Sequence, residues 1–309
     1  MSGIQLRSNY SDLVLEDALP ALEFIAEDEF QSFQPRYEMI FNVKEMRTAI
    51  AQSTQVSSLQ PAAVVGEAES VPLQKIYQGY DKTYTAVKYG IMMASSQELI
   101  DDLEYDVLSS NPRKLTKAFM STVEITAADI FNNGFATTGP DGKVLFATDH
   151  PLLAPGAGTA SNKLATAADL SMTSLKNMVT LLRSQVDTAG NKIMINPSKL
   201  IVAPDNEFLA YELLKSVMLP DSSNASVNSV NSVGAQYKIE PIVWDYLTDA
   251  DAFFLSSDKM DHMLCFYWRK RPELATDYDF KTEVALTKLV GRFTVGYSDW
   301  RGIVGTEGA

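Results

Sequence analysis

The sequence predicts an α+β fold in which a long β-hairpin projects from a body of mixed helices and strands. Three observations lead there. Two stretches of strand-like alternation flank a segment of neither period, STQVSSLQPAAVVGEAESVPLQ, from Ser53 to Gln74. A single apolar stripe at helical spacing runs from Leu115 to Phe131. Beyond it, amphipathic helices alternate with short strands rich in Leu, Ile and Val.

The elements follow in order. Residues 11–33, SDLVLEDALPALEFIAEDEFQSF, place Leu15, Leu19, Leu22 and Ile25 at helical spacing, with Pro20 as a kink, and read as an acidic amphipathic arm. From Tyr37 the period becomes two, with Tyr37, Met39, Phe41 and Val43 on one face; after Glu45 the phase slips, which predicts a bulge. The return strand is YDKTYTAVKYGIMMA, in which Thr85, Val87, Tyr89, Ile91 and Met93 alternate with Tyr84, Ala86, Lys88 and Gly90. About 14 residues at ~3.3 Å each make an arm of ~46 Å, close to the ~50 Å diameter expected of a globule of this chain length. An isolated two-stranded ribbon is marginal in water, so an arm of that reach needs a surface to lie on, and a second subunit is the economical source.

A long helix comes next. Asn111 suits an N-cap, Pro112 the first helical position and Gly134 a left-handed end, around a stripe of Leu115, Phe119, Val123, Ala127 and Ile130/Phe131. Ala and Thr beside the stripe allow close approach by a sheet, so the helix reads as a structural spine. TTGPDGKVLFATDHPLLAPGAGTASN is a turn, a short strand and a loop. A second amphipathic helix buries Leu175, Met178, Val179 and Leu182, and PSKLIVAP is a strand buried on both faces. PDNEFLAYELLKSVM opens a third helix on an Asp cap, and the Ser- and Asn-rich segment after it suits an exposed rim. YKIEPIVWDYL, AFFLSS, HMLCFYWRKR and TEVALTKLVGRFTVGYSDWRGIVG supply the closing strands.

Composition excludes several function classes. The chain has 309 residues, 46% hydrophobic and 21% charged, enough for one large or two modest cores. No run reaches the ~18 apolar residues of a membrane span, and the N-terminus lacks a basic head with an apolar stretch behind it, so no signal peptide is expected. The single cysteine, Cys265, precludes an internal disulfide and fits a reducing cytoplasm; within HMLCFYW it reads as a small core residue rather than a nucleophile. The net charge of −13 and the lack of a Lys/Arg cluster argue against grip on nucleic acid; WRKRPEL, the densest basic patch, reads as a strand end or an interface contact. A wall enclosing a polyanion without adhering to it would also be acidic.

Little in the sequence points to catalysis, a cofactor or a metal. His150 follows Asp149 and His262 follows Asp261, but neither pair has metal-ligand spacing and no nucleophile elbow or phosphate loop occurs. Asp101 and Asp102 read as a helix start. Lys75, Lys82 and Lys88 lie near the hairpin, where an isopeptide cross-link would need a buried carboxyl catalyst that no sequence can display.

The order of acidic arm, long hairpin, capped spine helix, helix–strand–helix block, Asn-rich loop and returning strand resembles the major capsid proteins of tailed bacteriophages, with the Hong Kong 97-type fold, and within them the phage Mu-like head subunits. The stretches that carry the resemblance are GYDKTYTAVKYGIMMASSQELIDD, FNNGF with DGKVLFATDHP, LKNMVTLLRSQVDTAGNKIMINPSKLIVAPDNEFLAYELLKS and RFTVGYSDWRGIVG, spread over residues 37–305. The resemblance implies an N-terminal arm (1–36), an extended E-loop (37–94), a peripheral domain (95–167 and 281–309) and an axial domain (168–280). It implies neighbour contacts at the E-loop tip, here Leu59, Pro61, Val64, Glu67 and Pro72, and an axial rim at Asn224, Asn228 and Asn231. It further implies copies of the chain itself as partners, in pentamers and hexamers of a closed shell in the virion, assembled in the host cytoplasm with portal, scaffolding and decoration proteins around double-stranded DNA held without sequence-specific binding. With the spine helix starting near residue 111, scaffolding is expected from a separate protein or from none, and no cross-linking residue carries over. Two alternatives stand beside this one. An encapsulin-type compartment shares the fold but packages protein cargo. A hydrolase using Asp149 and His150 would be a discrete monomer or small oligomer whose activity is lost on His150→Ala.

Overall fold

Strand pairing and aromatic packing build the body around two four-stranded sheets. The computed structural model describes residues 25–96 except 27 and 31, 106–153, 158–215, 238–279 and 281–309 except 283, with the backbone alone over 106–110. In chain order the helices are α1 (Arg36–Ile40), α2 (Asp106–Asn132), α3 (Met172–Arg183) and α4 (Glu207–Lys215). The strands are β1 (Asn42–Glu45), β2 (Ile50–Val56), β3 (Gln78–Thr85), β4 (Val87–Ser96), β5 (His150–Pro151), β6 (Thr159–Ala160), β7 (Pro197–Val202), β8 (Glu240–Val243), β9 (Phe253–Ser257), β10 (Leu264–Asp279), β11 (Val284–Tyr297) and β12 (Ile303–Thr306).

The first sheet has the order β1-β10-β11-β4 and receives the spine helix α2 on one face. Phe293 of β11 is the hub of that contact. It stacks on Phe266 at 5.3 Å and on Tyr89 at 4.4 Å, and meets Phe119 of α2 edge-on at 6.4 Å. Gly291 lies under the same Phe119 ring; a Cβ there would stand 2.6 Å from it, so the glycine sets how closely the helix approaches. The stripe read from the sequence is buried as expected: Leu115, Phe119, Val123, Ala127 and Phe131 are all inside.

The second sheet, β12-β9-β7-β8, packs α3 and α4 over a separate apolar cluster. Strand β7 lies inside it with Leu200, Ile201 and Val202 fully buried, as its apolar run predicts. Ser171 caps α3 by accepting from the Ser174 amide, while the Ser174 hydroxyl accepts from the Ser171 amide. Strand β10 belongs to the first sheet, and β12 closes the second.

Several expectations are corrected. Residues 36–40 are helical rather than strand, because Glu124 of α2 offers a carboxylate to the start of that turn: Oε1 accepts from the Arg36 amide at 2.7 Å and Oε2 from the Trp244 indole at 2.9 Å. Burial pushes the Glu124 carboxyl up in pKa against these donors. Tyr37, Ile40 and Phe41 are buried and Met39 is exposed, a pattern of helical step. What looked like a bulge after Glu45 is a break: β1 pairs with β10 in the first sheet, whereas β2 pairs with β3. The return strand divides at Ala86 into β3 and β4, and the buried face changes phase there, from Tyr84 and Ala86 to Tyr89 and Met93. The spine helix begins at Asp106, so Asn111 is not its cap and Pro112 lies inside it. Gly134 has no left-handed backbone; a Cβ on it would strike the Phe146 ring at 2.7 Å. In the stretch TTGPDGKVLFATDHPLLAPGAGTASN, where one short strand is expected, the described residues carry two two-residue strands, His150–Pro151 and Thr159–Ala160. WRKRP is strand interior, since β10 runs on to Asp279. The acidic arm up to residue 24, Asp101, Asp102 and the Ser/Asn segment with Asn224, Asn228 and Asn231 lie outside the described residues.

His262 is buried in the connection between β9 and β10. Its Nδ1 accepts from the Leu264 amide at 3.3 Å and its Nε2 has no partner among the described residues. Desolvation, aided by the nearby Lys199 charge, holds its pKa down at about 4 against an ordinary 6.5. The unfolded chain therefore binds the extra proton first, and stability present above pH ~6.5 is lost as pH falls through ~4, by an amount on the order of 3 kcal/mol. Thermal unfolding followed from pH 7 to 4 should show that loss, and His262→Gln should flatten it; an unchanged slope in the variant would assign the acid sensitivity elsewhere.

Candidate assembly interface

The projecting hairpin is built from β2 and β3, paired from Ile50↔Thr85 to Val56↔Gln78. Its regular part is about half the length expected, since the 7 residues of β2 at ~3.3 Å span ~23 Å. Beyond it, residues 57–77 run without strand or helix to the tip.

The tip is apolar and open to solvent. Val64 is 101% exposed, Leu73 93%, Val71 79%, Ile76 63% and Leu59 52%. Pro61, Glu67 and Pro72 are exposed as well. A turn crowns it: the Glu69 amide donates to the Gly66 carbonyl at 3.2 Å, the Glu69 carboxylate accepts from the Gly66 amide at 3.0 Å, and Ala68 takes a left-handed φ of 64°. Below the turn, the Gln74 side chain clasps the other branch at the Gln60 backbone, its Oε1 accepting from the Gln60 amide at 2.8 Å and its Nε2 donating to the Gln60 carbonyl at 3.0 Å.

The root of the tip rests on its own subunit. The Ser58 amide donates to Thr188 Oγ1 at 2.6 Å, Gln60 Nε2 to the Ala189 carbonyl at 2.9 Å, and Asn191 Nδ2 to the Leu59 carbonyl at 3.2 Å. Asp187 pre-forms this socket by accepting from the amides of Ala189 and Asn191, each at 2.8 Å. Gln55 Nε2 reaches Asp299, whose carboxylate also holds Arg301 at 2.9 Å. The Asp and Gly of VDTAGN signal a turn there, but its contact with residues 58–60 has no signature in the sequence. Of the five predicted contact residues, Leu59 is thus partly engaged through its carbonyl, and Pro61, Val64, Glu67 and Pro72 stand free in solvent.

His150 and Asp149 each hold a different partner. His150 is fully buried and stacks on Trp300 at 4.3 Å. Its Nδ1 lies 2.6 Å from Asp141 and its Nε2 3.0 Å from Asn162 Oδ1, so neither nitrogen faces a substrate. Asp149 is not its partner; that carboxylate pairs with Lys143, which holds it below the ordinary carboxylate range. The Asp149/His150 dyad of the hydrolase alternative is therefore not formed. Cys265 is buried, as predicted. Among the described residues no cluster of His, Cys, Asp and Glu could hold a metal, and no helix is long and apolar enough to cross a membrane.

The fold, with a spine helix across one sheet and a second sheet carrying its own helices, is similar to that of known proteins. A family model described as phage capsid protein matches residues 79–305. The chain belongs to the phage capsid protein family. Solved structures agree on the Hong Kong 97-like fold. A chain from Microbacterium phage Oxtober96 superposes with a TM-score of 0.59 at 11% identity, covering 89% of this chain and 91% of that one. The capsid of a native GTA particle gives 0.59 at 13% identity, covering 90% and 91%. The procapsid of bacteriophage JBD30 gives 0.52 at 14% identity, covering 94% and 75%. No curated protein matches the chain by sequence. This capsid protein is a major head subunit, one of many copies that form an icosahedral phage head.

Proposed function

We propose that this capsid protein closes its shell by laying the E-loop tip, residues 61–76, on a neighbouring subunit. One observation carries the reading: a hydrogen-bonded root fixes where the loop starts, while Val64, Val71, Leu73 and Ile76 beyond it are exposed among the described residues. Burying Val64, Val71, Leu73 and Ile76 supplies about 1.5–3 kcal/mol each before the cost of ordering the loop. Each contact is weak, and a closed shell repeats it over linked interfaces until assembly becomes steep.

The peripheral domain then comprises the β1-β10-β11-β4 sheet with α2, and the axial domain the β12-β9-β7-β8 sheet with α3 and α4. The role is structural rather than catalytic. The shell assembles in the host cytoplasm with portal and scaffolding proteins and encloses double-stranded DNA, for which the −13 charge is suited to containment without adhesion. Excising the tip and looking for shells by electron microscopy tests the reading, because a contact made between copies is lost without cost to the subunit's own fold.

A further inference from the structure

The chain reaches α1 alongside the spine helix, and two contacts mark its course. Glu124 of α2 accepts from the Arg36 amide at 2.7 Å, and about two turns earlier on α2 Lys117 pairs with Glu29 at 3.3 Å. From Glu124 back to Lys117 is seven residues, as it is from Arg36 back to Glu29, so the incoming segment and the spine run side by side in the same direction. That segment is helical over 28–30, the Phe33 amide donates to the Glu29 carbonyl at 3.2 Å, and Phe30 packs on the core that holds Phe119 and Val123. One turn further back, Ala26 is buried too. The spine continues beyond Lys117 to Asp106, a further ~16 Å. On that stretch Arg113, one turn before Lys117 and on its side of the helix, and Lys114 are exposed and have no carboxylate partner among the described residues. A helix face of unpaired cations next to an arriving chain calls for acids on that chain.

Residues 11–24, which lie outside the described residues, supply them. They carry Asp12, Glu16, Asp17 and Glu23 with no Lys or Arg, and they place Leu15, Leu19 and Leu22 on one stripe that continues through Ile25. We propose that this acidic arm docks on the first turns of its own spine helix, with Glu23 meeting Arg113 and the leucine stripe lying over the methylene stems of Arg113 and Lys114. At a helical rise the residues from Ile25 back to Leu15 span ~15 Å, which matches the length of spine left to cover. The surface is separate from the tip contact proposed above and does not depend on it. The subunit's own arm is favoured over that of another copy because Ile25 already follows α2, and a short tether gives a high effective concentration. It is favoured over nucleic acid because a chain of net charge −13 repels a polyanion whereas the arm is held in place.

Chymotrypsin cleavage within residues 11–24, followed by mass spectrometry on full-length subunits kept too dilute to assemble, tests the docking. Arg113→Glu, at an exposed position that leaves the fold intact, should speed cleavage about threefold, the modest effect of one exposed ion pair turned repulsive. Adding Glu23→Lys should return the rate to that of the wild type. Leu22→Asp, which interrupts the apolar stripe, should speed cleavage at least ~10-fold. Oxidation of a chain carrying Glu23→Cys and Arg113→Cys, in which the native Cys265 is buried, should form a disulfide within one chain, seen as a faster-migrating monomer on a non-reducing gel. Wild-type cleavage rates in both Arg113→Glu and Leu22→Asp would overturn the proposal. Disulfide-linked dimers in place of the internal bond would overturn it in favour of another copy. Arg113→Glu shells that hold less DNA, with the arm cut at the wild-type rate, would overturn it in favour of nucleic acid.

Discussion

A chain in which residues 61–73 are replaced by a short Gly-Ser link should fold, remain soluble and build no shells. The excised segment lies beyond the Ser58–Thr188 and Gln60–Ala189 bonds, so the root stays seated in its socket and the β2–β3 pairing is untouched. None of its large apolar side chains belongs to either core cluster, so the subunit loses no packing of its own. The cost of the longer or looser connection is small, about 0.6 kcal/mol for each doubling of loop length. Circular dichroism and thermal unfolding should match the wild type while sedimentation shows subunits or small oligomers. Wild-type-like particles from the excised chain would mean that the tip makes no contact needed for closure.

Phe119→Asp should have the opposite character, destroying the subunit rather than its assembly. Phe119 is 2% exposed and wedged between α2 and the sheet at Gly291 and Phe293. Truncating such an aromatic costs about 3–5 kcal/mol, and a carboxylate placed there has no partner, adding a penalty of several more. Together these consume most of the ~5–15 kcal/mol by which a domain is stable. The variant should be found in the insoluble fraction. Ile125→Asp is the control: Ile125 is 45% exposed on the same helix, and that variant should stay soluble. A soluble, assembling Phe119→Asp chain would place that face of the helix in solvent.

The parts of the fold legible in the sequence are those where one period decides. The stripe from Leu115 to Phe131 and the face of Leu175, Met178 and Leu182 match a helix and no other element, and both are buried as read. The β7 run was legible because Leu200, Ile201 and Val202 leave no polar residue to turn outward. Where two periods fit, a distant residue chose between them. Tyr37, Met39, Phe41 and Val43 fit a strand while Tyr37, Ile40 and Phe41 fit a helical turn, and the Glu124 carboxylate, 88 residues from Arg36, settles it. Asn111 and Pro112 mimic a helix start, yet the helix enters from Asp106. The tip was legible by its lack of any period. Its socket at Asp187–Asn191 was not, because a turn signal names no partner.

The most direct measurement is limited proteolysis of residues 61–76 in free subunits and in assembled shells. The account predicts rapid cleavage in the free subunit, where Val64, Val71 and Leu73 are exposed, and protection of the same stretch once shells have formed. A chain that stays a monomer at high concentration with this stretch already protected, or shells in which it is cut as fast as in the free subunit, would contradict it.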